Sequence, residues 1–125
     1  MSLPPTIEKW HSVVASRDVN ELRELLSDDA CFWSPVLHTP QEGKAKVLMY
    51  LGGAMQVVGN EHFHYVREIY GPNDACLEFE TQVGELIVNG VDLIRWNDQG
   101  QITDFKVMLR PLKAISAVQQ AWPPC

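Results

Sequence analysis

From Ala75 onward the chain adopts a two-residue period. Ala75, Leu77, Phe79 and Thr81 alternate with Cys76, Glu78, Glu80 and Gln82, which sets a largely apolar row on one face of a strand and a polar row on the other. A strand of this kind belongs to a sheet with one covered face. The turn residues Gly71-Pro72-Asn73-Asp74 separate it from an upstream strand over His62–Tyr70, giving a hairpin. A second hairpin joins Leu86–Trp96 to Ile102–Leu109 around Asn97-Asp98-Gln99-Gly100. Asn89-Gly90 is a rival turn signal, but turning there leaves too short a strand before the next turn, so it reads as a bulge.

The first half has a different period. Ile7, Trp10, His11 and Val14 follow the spacing of one helix face. Asp18 with Glu21 forms a capping-box pattern ahead of Leu22, Leu25 and Leu26, so a second helix follows after a sharp bend. Ala30–Ser34 reads as a short apolar strand closed by Pro35. A loop through Pro40 leads to Thr39 and Glu42, a second capping-box pattern. Val47, Leu48, Leu51, Ala54, Met55 and Val58 mark the face of a third helix, and Leu112–Trp122 a short last one. Helices first and strands after predict an α+β fold rather than alternating βαβ units. The expected architecture is a curved antiparallel sheet wrapped around the N-terminal helices, forming a cone with an apolar pocket.

At 125 residues, 1–125 reads as one domain, large enough to bury a core without metal or disulfide support. A net charge of -6 argues against a nucleic-acid partner, which needs a basic footprint. No apolar run approaches a membrane span, and the start Met1-Ser2-Leu3-Pro4-Pro5 is unlike a secretory signal. Cys31, Cys76 and Cys125 are odd in number and outside any CxxC pattern, as expected of reduced thiols in a cytoplasmic protein, with Cys125 exposed.

The order of elements, together with Asp18–Leu26, Asp28-Asp29-Ala30, the Pro35…Gly43 loop and Gly90 through Ile102, resembles the nuclear transport factor 2-like superfamily. The continuation Asp104-Phe105-Lys106-Val107-Met108-Leu109-Arg110-Pro111 is similar to its SnoaL-like branch of polyketide cyclases and related small proteins. The resemblance spans about Ile7 to Leu112. It implies the cone fold, but not one activity, because isomerases, cyclases, epoxide hydrolases, dehydratases and binders share it.

Asp92, between Val91 and Leu93, is the candidate catalytic residue. If Asp92, Ile94 and Trp96 face the cone interior, apolar walls disfavour the charged carboxyl and raise its pKa, which suits an acid/base group. The resemblance matches Asp92 to the oxyanion-hole aspartate of ketosteroid isomerase, a standard example of a carboxyl kept neutral by its surroundings. Ser34 stands where that isomerase places its general-base aspartate, and Trp10 where it has an oxyanion tyrosine. Gly90 occupies the arginine position of the epoxide hydrolases' Arg-x-Asp pair. The SnoaL-like cyclases, which use an aspartate as acid/base, are the better match. An architectural Asp92 would instead be bonded to Trp10, Tyr50 or a backbone amide.

The expected ligand-binding set is Trp10, Val14, Phe32, Ser34, His38, Tyr50, Phe105, Val107 and Leu109, with His38 at the pocket mouth. His38 or Tyr50 would be the second titratable group. His62 and His64 lie two apart on one strand with no third ligand at metal spacing, so no metal is expected. His11 reads as a packed or rim histidine, and Trp33, Trp96 and Trp122 as core or dimer contacts. Without a P-loop, Rossmann fingerprint or nucleophile elbow, no cofactor is expected. Two functions follow: a cofactor-free isomerase or cyclase acting on a small apolar, carbonyl-bearing molecule, or a non-catalytic binder or dimeric scaffold using the same fold. Apolar Val91, Leu93 and Met108 on the outer face predict a homodimer.

Overall fold

The computed structural model describes residues 3–121. Helices α1 (Pro5–Ser16) and α2 (Val19–Leu25) are followed by strand β1 (Leu26–Trp33), the two-residue strand β2 (Gln41–Glu42) and helix α3 (Lys44–Val58). Strands β3 (His64–Tyr70), β4 (Asp74–Val83), β5 (Leu86–Trp96) and β6 (Ile102–Arg110) come next, then helix α4 (Leu112–Ala121). The strands form one curved, unclosed sheet in the order β2-β1-β6-β5-β4-β3. Neighbours are antiparallel except β1 and β6, which run parallel. That pair joins the two ends of the chain, so a helix-containing crossover replaces a hairpin.

The bend between the first helices is local. Arg17 takes a left-handed conformation (φ 58°, ψ 28°) and its N–H returns to the Val13 carbonyl, closing α1. Asp18 then caps α2 by accepting from the Asn20 N–H. The capping box is only half built, because Glu21 accepts from the Ser12 hydroxyl instead. No capping box starts α3 either. Gly43, at φ 96°, is its N-cap, and Gln41 and Glu42 are drawn into pairing with β1.

Strand β4 buries Ala75, Leu77, Phe79 and Thr81 and leaves the intervening residues partly exposed. Strand β5 buries Val88, Gly90, Asp92, Ile94 and Trp96 in the same rhythm. Asn89-Gly90 is not a bulge. Asn89 pairs with Glu80 and Gly90 with Phe79 in unbroken register. Glycine is required there for space: a Cβ would lie 2.6 Å from a Phe79 ring carbon, 2.7 Å from a Leu109 methyl and 2.8 Å from the Met108 carbonyl oxygen. The irregularities fall instead between Leu26 and Cys31, Tyr65 and Arg67, and Arg95 and Trp96.

Two apolar clusters result. The larger packs Ile7, Trp10, Leu22, Leu51, Leu77 and Phe105 between the helices and the concave sheet face. The smaller joins Val88 to Ala114 and Val118 of α4. No helix among the described residues is long and apolar enough to cross a membrane. Trp122 and Cys125 lie outside the described residues.

Candidate functional site

A cavity of about 40 Å³ opens where the two clusters meet. Helix α1 contributes Trp10 and Val14, α3 contributes Leu51 and Ala54, and the strands contribute Phe79, Asp92, Phe105, Val107 and Leu109. Asp92 points inward because it shares the buried row of β5, and it is 5% exposed. Arg17 is the other ionisable side chain of the lining, and the only lining side chain among the described residues that is exposed.

Asp92 is held by a hydrogen-bonded chain. The Trp10 Nε1–H donates to the Tyr65 hydroxyl at 2.8 Å, and that hydroxyl donates to Asp92 Oδ2 at 2.7 Å. The polarity is fixed by Trp10. An indole N–H can only donate, so the phenol oxygen accepts from it and turns its own proton to the carboxyl. Burial among apolar side chains pushes the Asp92 carboxyl up to about 7, against the opposing pull of the Tyr65 hydrogen bond. Burial and the neighbouring Asp92 charge push the Tyr65 phenol well above its ordinary range, so it stays a neutral donor.

Tyr65 is itself held from the other side. The His11 ring stacks on it with centroids 5.7 Å apart and planes 21° apart. His11 Nε2 lies 2.8 Å from Glu68 Oε1, which also accepts from the Tyr70 hydroxyl at 3.0 Å. Phe63 meets the edge of the Tyr65 ring at 5.1 Å. The phenol is thereby clamped between helix α1 and the sheet, with its oxygen fixed on Asp92.

Of the expected residues, Asp92, Trp10, Val14, Phe105, Val107 and Leu109 meet at the cavity. Phe32, Ser34, His38 and Tyr50 are not part of its lining. Phe32 is fully buried in the larger cluster, its ring centroid 6.1 Å from that of Phe105. The Ser34 hydroxyl accepts from the Val36 N–H, and Ser34 lines an adjoining groove with Lys106 and Ile115 that shares Pro35, Val107 and Leu109 with the cavity. His38 is on the exposed loop before β2. Tyr50 is half-buried against the larger cluster.

Tyr65 was not among the expected residues. Its signal was its place across from Phe79 on the neighbouring strand, one of the buried row of β4. Among the described residues no group of three potential metal ligands comes together. His64 Nε2 instead sits 3.9 Å from Glu80, and His62 Nε2 3.6 Å from Glu61.

The sequence matches the SnoaL-like domain family over residues 7–105. A crystal structure from Pseudomonas aeruginosa described as a steroid delta-isomerase is 38% identical with a TM-score of 0.89, over 96% of this chain and 92% of that one. An uncharacterized bacterial protein with a cystatin-like fold from Silicibacter pomeroyi is 39% identical with a TM-score of 0.86, over 94% and 82% of the respective chains. A Catenulispora acidiphila protein with a ketosteroid isomerase-like fold, solved with trimethylamine, is 15% identical and shares the fold (TM-score 0.69, over 98% and 100%). No curated protein matches the sequence. With its helices packed into a curved, unclosed sheet and its family match running from α1 into β6, the chain belongs to the SnoaL-like branch of the nuclear transport factor 2-like superfamily.

Proposed function

We propose that the chain binds a small apolar, carbonyl-bearing molecule in the cone and moves a proton on it without a cofactor, in the manner of an isomerase or cyclase, with Asp92 as acid/base. One observation carries this reading: a carboxyl pushed up to about 7 lines a cavity that is apolar apart from the exposed Arg17, and it is held by a tyrosine that cannot itself ionise near neutrality. Near pH 7 both forms of Asp92 are populated, as an efficient acid/base group requires. Ionised, it takes a proton from the carbon beside the carbonyl. Protonated, it returns that proton two carbons along, so the double bond moves and no atom is gained or lost. The Pseudomonas aeruginosa structure described as a steroid delta-isomerase supports the reaction class. Ser34, at the position matching the isomerase base, is turned to Val36 and leaves Asp92 as the group that would act alone.

A non-catalytic binder is the second reading. The observation favouring it is that Asp92 and Arg17 are the only ionisable side chains among the described lining residues, so no second acid or base stands ready. Asp92→Asn with cyclohex-3-en-1-one separates the two. Enzyme action requires that the wild type accelerate formation of the conjugated ketone and that the variant bind it but lose about 100-fold or more in rate. Equal rates in both proteins would leave only the binder.

We further propose a homodimer through the outer sheet face. Half-buried Val91 and Leu93 lie there beside the exposed Ile69 (60%) and Met108 (48%). A sheet with apolar groups on both faces is stabilised by cover on both.

A further inference from the structure

We propose that Arg17 recognises an anionic group on the cavity's occupant, making that occupant a small amphipathic acid: an apolar body against Trp10, Phe79 and Phe105 with a carboxylate at the rim. This rests on the ligand-binding reading of the cavity and goes beyond it by naming the substrate class. Three observations converge. Arg17 lines the cavity, and it is the one exposed residue among the described lining residues, as expected of a residue at the opening. The space of about 40 Å³ has room for a few waters, so a ring-sized occupant has to extend beyond it, toward the exposed lining residue Arg17. Finally, no acidic side chain among the described residues pairs with Arg17. Its neighbour Asp18 is engaged with the Asn20 N–H in capping α2.

The backbone fits the same role. Arg17 sits at φ 58° as the cap residue of α1, a place that glycine takes without strain. An arginine there brings a planar fork of donors to the rim, suited to a carboxylate. Asp92 lies deeper and reaches about 7, so below neutrality it is uncharged and does not repel the acid.

Calorimetry at pH 6 with naphthalene-2-carboxylate and its neutral isostere naphthalene-2-carboxamide tests this. The carboxylate is expected to bind the wild type about tenfold tighter, with the advantage shrinking at high salt. Arg17→Gln should remove that preference and leave the carboxamide within about twofold. Arg17→Lys should retain part of it. Arg17→Gly, which relaxes the backbone, should lose the preference while staying folded. Equal binding of the two probes to the wild type, or a loss that Arg17→Gln inflicts on both alike, overturns the anion role and leaves the cavity as a ligand site. Binding of neither probe overturns both.

Discussion

The Tyr65 hydroxyl reaches over strand β4 to donate to Asp92 on β5 at 2.7 Å. Two strand spacings, roughly 9–10 Å in a flat sheet, separate β3 from β5. A tyrosine is long enough to bridge that gap on a concave face, whereas serine or threonine falls short. Burial raises the Asp92 carboxyl, and the curvature of the sheet and the length of one side chain supply the hydrogen bond that opposes it from 27 positions away.

Tyr65→Phe should drive the Asp92 carboxyl higher still, because the hydrogen bond that favours its charged form is gone. It also strips the Trp10 N–H of its acceptor. The expected cost is about 1–3 kcal/mol, read by urea unfolding. A carboxyl that titrates unchanged in the variant would show that the bond does not tune it.

The pH dependence of stability has a definite sign. The folded state holds the Asp92 proton up to about 7, whereas the unfolded chain releases it near 4. The folded state therefore binds more protons in between, and this contribution to stability falls as pH rises from about 4 to 7. It amounts to on the order of 4 kcal/mol across that window. Asp92→Asn should remove it, so the gap between variant and wild type should widen in the variant's favour from pH 5 to pH 8. A constant gap would contradict the assignment.

Gly90→Ala should destabilise the fold by about 1–3 kcal/mol through overpacking. The added Cβ meets Phe79 and Leu109 and, at 2.8 Å, the backbone oxygen of Met108, which cannot swing aside as a side chain can. Thermal melts of the two proteins check this. An unchanged melting temperature would mean that the sheet relaxes freely at this crossing.

If the outer sheet face joins two copies, light scattering at micromolar concentration should give twice the 14.1 kDa chain mass. Ile69→Glu or Met108→Glu should return it to the monomer. A monomer in the wild type contradicts the dimer proposal without touching the cavity.

The cone was legible in the order of elements and the family resemblance they carry, and Asp92 meets the condition set for it because alternation is unbroken along β5. Trp10, Val14, Phe105, Val107 and Leu109 were legible for the same reason, as regular helix and strand periods put them on the inner faces. Tyr65 was not, because the irregularity between Tyr65 and Arg67 breaks the period of β3 and its partner lies two strands away. Phe32 is fully buried against Phe105, which lines the cavity, and does not line it itself. Gly90 misled because a glycine needed for close approach has the same local signature as one needed for a bulge. Arg17 lines the cavity from a left-handed backbone, a conformation that sequence rarely announces outside glycine.

A titration of the Asp92 side-chain carboxyl followed by carbon-13 NMR tests the proposed acid/base role most directly. The expected midpoint is about 7, with the apolar cavity walls as its cause. A midpoint near 4, the range of a solvated aspartate, would mean that Asp92 is an ordinary ionised group at neutral pH and not poised to exchange a proton with anything the cavity holds.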